Sequence, residues 1–177
     1  FGTERAVINR IVGPFLEHHC RQRGLELSLV DMQWGIPGGT AEADTMRICL
    51  EELSRCADAN GCPFFVYLGG SRYGWEPPPS IVPDDVRERF DWVDGASITA
   101  MEVLHGALRD RNPHALFFLR RGKGGAGADD AETDPDVLAA NDGSAVAAAK
   151  QRTLLSVIRA HADPAQVVDY DTRGGGD

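Results

Sequence analysis

Basic residues are scarce in this chain. Its 177 residues hold 18 lysines and arginines against 27 aspartates and glutamates, a net charge of −9. With no long basic run to grip a phosphate backbone, direct nucleic-acid binding is not expected. Long apolar runs are missing too. Nothing approaches the ~20 residues of a bilayer-spanning helix, and no signal peptide precedes the first helix, so no membrane role is expected. The four cysteines, Cys20, Cys49, Cys56 and Cys62, form no CxxC pair. That argues against a zinc site and for reduced, mostly buried thiols of an intracellular protein. Cys49 and Cys56, seven residues apart on one helical face, leave a metal site with a histidine as the alternative reading. There is no Gly-x-Ser-x-Gly and no HExxH, and Gly69-Gly70 lacks the Gly-Lys-Ser/Thr that would make it a P-loop. No complete catalytic constellation is spelled out.

What is present is a regular alternation of helical and strand patterns. Val7, Ile8, Ile11, Val12, Phe15, Leu16 and Cys20 recur at three and four, predicting a helix over 3–23 with a kink at Pro14 and an end at Gly24. "LELSLVD" alternates as a strand. A second helix carries Met46, Cys49, Leu50, Leu53 and Cys56 on one side and closes at "DANG". "CPFFVYLGG" and "HALFFLRR" are continuous apolar runs, as in strands covered on both faces. Between them lie a Pro-rich loop, the short amphipathic piece "DDVRERFDWV" and the helix of "DGASITAMEVLHGAL". A Gly/Ala/Asp stretch over 122–145 reads as a flexible insertion. A helix from about Val146 to Ala162 and the strand "QVVDY" complete the set.

Such alternation predicts an α/β domain, a parallel sheet with helices on both faces. Doubly wound sheets normally open with a strand near their middle, so a first strand is expected ahead of Phe1. Ligands of such sheets gather beyond the carboxyl ends of the strands, where helix N-termini present free N–H groups. Three segments reach that end here. One offers Asp31, Trp34, Gly35 and Gly38; the next is "GGSRYGW", with Gly69, Gly70, Arg72, Tyr73 and Trp75; the third is the approach to Thr99 and Glu102. Arg72 reads as a partner for a carboxylate, and the tryptophans as sheet covers or interaction anchors. Thr-Ala-Met-Glu is the spelling of a capping box, so Thr99 and Glu102 are expected to satisfy each other's backbone donors. No metal site is predicted.

Four phrases together resemble a family: "ERAVINRIVGPFLEHHCRQRGLELSLVDMQWGI", "RICLEELSRC", "PFFVYLGGSRYGW" and "SITAMEVLHGAL". They are similar to the N-terminal domain of unknown function in nephrocystin-3, telomerase protein component 1 and the NACHT and WD-repeat proteins. The likeness runs from about Glu4 to Arg120 and resumes from Arg152 to Tyr170. It implies a TIR-like, flavodoxin-like domain over 1–121 and 146–171, with 172–177 as a linker to a following domain. It also implies an effector or protein-interaction module of a large signalling ATPase or scaffold, with ATP held in that following domain. Partners would be other proteins or other domains of the same chain. The setting would be cytoplasmic or ciliary, including an architectural place in a ciliary or ribonucleoprotein assembly. In TIR enzymes that cleave NAD, a glutamate near the start of the corresponding helix is catalytic, and Glu102 occupies the similar place.

Overall fold

The computed structural model describes residues 1–32, 42–121 and 144–171. These fall in two compact units, Phe1–Gly39 and Thr40–Asp177.

In the first unit, α1 (Gly2–Val7) runs through a π-helical turn (Ile8–Val12) into α2 (Gly13–Arg21). The predicted kink takes this form because Pro14 has no N–H to donate and its ring crowds the carbonyl four residues back; a widened turn just ahead of it absorbs both. Gly24, at φ +69°, ends the helical run in the left-handed conformation that glycine tolerates. The strand expected at "LELSLVD" is not formed: Leu25 to Asp31 takes no regular secondary structure, and Leu25 and Leu29 are 60% and 54% exposed. Alternation alone does not make a strand, since the backbone must also find a partner to pair with. Asp31 is held instead by an ion pair with Arg5.

The second unit carries a three-stranded parallel sheet in the order β1 (Phe65–Gly69), β2 (Ala115–Arg120) and β3 (Val167–Tyr170). Tyr67 faces Phe117 in the register, and Phe117 faces Val167. Around the sheet lie α3 (Glu42–Asn60), α4 (Asp84–Arg89), α5 (Ile98–Val103, extended by a π-helical turn to Leu108) and α6 (Ala145–His161). The α/β class and the parallel sheet read from the sequence are therefore present, consistent with a flavodoxin-like arrangement.

The core forms where the predicted apolar faces meet. Met46 and Leu50 of α3, Met101 and Val103 of α5, and Leu154 and Ile158 of α6 bury against Tyr67, Ala115, Phe117 and Leu119. Gly106 is what lets α5 come so close to β1, since a Cβ there would stand 2.5 Å from the Phe65 ring. The alternate strand residues are less covered: Phe64 is 79% and Val66 49% exposed, so β1 is not buried on both sides within this unit. Asn112 ties the lower end together. Its Nδ2 donates to Pro63 O and Gly106 O, and its Oδ1 accepts from His114 N and Cys62 Sγ. Of the predicted insertion and linker, only Ser144 and Ala145 lie among the described residues; Ser144 caps α6 by accepting from Ala147 N.

Candidate functional site

The carboxyl end of β1 leads into Gly69 and Gly70, both buried, and then into a loop that α5 anchors from above. The anchor is Ser97. Fully buried, it donates from Oγ to Tyr73 O at 2.7 Å, and its N–H donates to Tyr73 Oη at 3.3 Å. The Ile98 N–H adds a bond to Trp75 O. Gly74 crosses Thr99 at φ +94°, with Thr99 Oγ1 only 3.1 Å from where a Cβ would be. Lys150 of α6 completes the clamp: it bonds Glu76 and Gly95 O and lies 5.9 Å from the Tyr73 ring centroid. The loop is thus fixed through its backbone and Tyr73, which is 7% exposed, while Arg72 and Trp75 project into solvent.

The expected capping box is not the one that forms. α5 begins at Ile98 with Ser97 as its N-cap, in extended conformation (φ −70°, ψ 156°) and accepting from Ala100 N. This shift places Thr99 inside the first turn and Glu102 in the second, beyond reach of the cap position. Ser97 prevails because its hydroxyl is buried and satisfies two segments at once.

Glu102 is therefore released for other contacts. It lies within hydrogen-bonding reach of the Cys49 thiol on α3, whose pKa is pushed up by burial and then by the negative charge of Glu102. The Tyr67 hydroxyl is also raised, first by burial and further by Glu102, with the Gln151 amide beside it acting in the opposite sense. Gln151, 2% exposed, donates to Gly70 O at 2.6 Å and leaves its Oε1 without a partner among the described residues. Thiol, phenol and amide thus surround one partly buried carboxylate at the strand ends. Cys49, Gln151 and Ser97 gave no sequence signal of this, because their partners lie 24 to 81 residues away.

Of the sequence-predicted site residues, the fold gathers Gly69, Gly70, Arg72, Tyr73, Trp75, Thr99 and Glu102 at this end of the second unit. Asp31 belongs to the first unit, paired with Arg5. Trp34, Gly35 and Gly38 lie outside the described residues. Arg72 forms no ion pair among the described residues. All four cysteines are free thiols, and no group of three or more potential metal ligands occurs among the described residues. No described helix is long and apolar enough to cross a membrane.

Fold and site together define an α/β domain whose strand-end loop is rigidly presented above a parallel sheet. The chain is 33% identical over 165 residues to mouse NACHT domain- and WD repeat-containing protein 1, covering 92% of this chain and 9% of that protein. It is 31% identical over 130 residues to rat telomerase protein component 1, covering 66% and 4%. To mouse NACHT and WD repeat domain-containing protein 2 it is 36% identical over 125 residues, covering 67% and 7%. The chain belongs to this family of NACHT and WD-repeat proteins and telomerase protein component 1. It spans less than a tenth of the length of these relatives. No family model matches it, and no solved structure matches it significantly.

Proposed function

We propose that the chain is a non-enzymatic protein-interaction module of a large multidomain scaffold or signalling ATPase, and that it engages its partner through the Gly70–Trp75 loop. The observation that carries this reading is the division of labour in that loop. Tyr73 is buried and clamped, whereas Trp75 is 40% exposed and Arg72 is free of ion pairs among the described residues. An aromatic and an arginine on a pre-ordered backbone are the residue types that dominate binding energy, because little entropy is lost when they dock. The partner is another protein or another domain of the same polypeptide, in the cytoplasm or at a cilium. ATP belongs to a following NACHT-type domain and not to this one.

The reading is tested with a photo-reactive residue in place of Trp75 in the full-length protein, beside a control at exposed Asp58. A specific cross-link from position 75, abolished by adding Arg72→Gln, is expected. Equal yields from both positions sink the proposal.

One observation favours a second reading, a TIR-like domain that cleaves NAD. Glu102 is not used as a cap, and the unpartnered Gln151 Oε1 is buried at the same strand ends. A carboxylate there would stabilise positive charge developing on a ribosyl centre. Nicotinamide release from NAD by the full-length protein, lost in Glu102→Gln, is the required result; turnover unaffected by that change excludes it.

A further inference from the structure

The turn after α4 and the second half of α5 build a cluster that the strand-end loop does not use. Phe90 and Trp92 meet edge to face at 5.6 Å, and the His105 ring lies against both, at 5.0 and 6.2 Å. Two guanidiniums cover this aromatic floor: Arg89 is 5.1 Å from the Phe90 centroid, and Arg109 is 5.3 Å from that of Trp92. Ser54 of α3 closes one side. Its Oγ accepts from Arg89 at 3.2 Å and lies 2.9 Å from His105 Nε2. The floor is buried or half-buried, and both arginines are exposed.

Charge distinguishes this cluster from most of the acidic surface around it. Five other cations of the unit are matched: Arg47 by Asp85, Arg55 by Glu52, Arg87 by Asp94, Lys150 by Glu76 and Arg159 by Asp169. Arg89 and Arg109 form no ion pair among the described residues. Asp110 is the acid that acts on His105, and both arginines oppose it there. A guanidinium held over an aromatic ring keeps in-plane donors for a carboxylate or phosphate and loses less entropy when it engages one. The bidentate match then adds direction to charge.

We propose that Arg89 and Arg109, braced by Phe90, Trp92 and Ser54, form a docking patch for an acidic segment of a partner protein, which they hold through its carboxylate or phosphorylated side chains. The patch is distinct from the Gly70–Trp75 loop, and its success or failure is independent of that loop's role.

The test uses the full-length protein and fluorescently labelled peptides: an oligoglutamate, the same peptide carrying phosphoserines, and an oligoglutamine control, followed by anisotropy. At least one anionic peptide is expected to bind. Arg89→Gln with Arg109→Gln should weaken it about tenfold or more, and the corresponding double lysine variant, which keeps the charge but loses the planar fork, should fall between. Arg159→Gln, on α6 and outside both proposed sites, should leave binding unchanged. Loss confined to the phosphorylated peptide supports the patch and assigns it to phosphate; loss with the oligoglutamate assigns it to carboxylate. The proposal is overturned if neither anionic peptide binds, if the glutamine double variant binds as the wild type does, or if Arg159→Gln costs as much, which would mark a diffuse field and not a site.

Discussion

At the start of α5, two neighbouring hydroxyls compete to cap one helix, and the outcome decides what Glu102 is free to do. Ser97 wins because the cap bond to Ala100 N is joined by its bond to Tyr73 O, so one buried hydroxyl serves a helix and a loop. Ser97→Ala should therefore cost about 1 to 2 kcal/mol in urea unfolding, a cap plus an unsatisfied buried carbonyl. Thr99→Ala should cost about 0.5 kcal/mol or less, as befits a non-cap position. The reverse ranking would restore the capping box that the sequence suggests. The thiol beside Glu102 carries its own consequence. Burial and the adjacent negative charge both disfavour the Cys49 thiolate, which is the reactive form. With iodoacetamide at mildly alkaline pH, mass spectrometry should find Cys56 and Cys62 alkylated while Cys49 stays intact, and all alike once urea is added.

Among elements, His105 joins three of them. It meets Ser54 on α3, packs on Phe90 and Trp92 after α4, and belongs to the π-helical turn that extends α5. Burial lowers its pKa from the ordinary 6.5, and the charge of Arg89 lowers it further. The sign follows from which state takes up a proton first. The unfolded chain protonates His105 near the ordinary value while the folded chain still holds it neutral, so protons favour unfolding. This contribution to stability is full above about pH 6.5 and declines as pH falls from there toward the lowered folded-state value. Urea midpoints measured across that range should drop more steeply for the wild type than for His105→Gln, which keeps a polar contact to Ser54 without titrating. Parallel slopes would show that His105 does not contribute. The α3–α5 contact at Ser54 could not be read from either helix alone. Each helix announces its apolar stripe, yet the facing of residues 54 and 105 is set by how closely Gly106 lets α5 approach Phe65.

At the scale of the whole molecule, the second unit is a sheet with an apolar strand at its edge. β1 pairs only with β2 among the described residues, and the run of Phe64, Phe65, Val66 and Tyr67 carries no charge, with Phe64 and Val66 exposed. Edges of this composition template pairing with further strands. The isolated chain should accordingly associate with rising concentration in sedimentation, and Val66→Lys should reduce that association while preserving the circular dichroism spectrum. A strictly monomeric wild type would show the edge to be protected. Sequence by itself determined the elements that rest on near-neighbour chemistry: the helices from stripes at three and four, β1 and β2 from apolar runs, the parallel sheet from their alternation, and the family from the order of four phrases. Where a partner far along the chain was required, it could not. "LELSLVD" has a strand's pattern without a strand's partner among the described residues. Glu102 was placed at the strand ends, but its tie to Cys49 depends on α3 packing beside α5, and the cap at Ser97 depends on Tyr73. Local patterns fix which face a residue lies on. Only the docking of elements fixes what that face meets, because those contacts join residues whose separation in sequence carries no periodic signal.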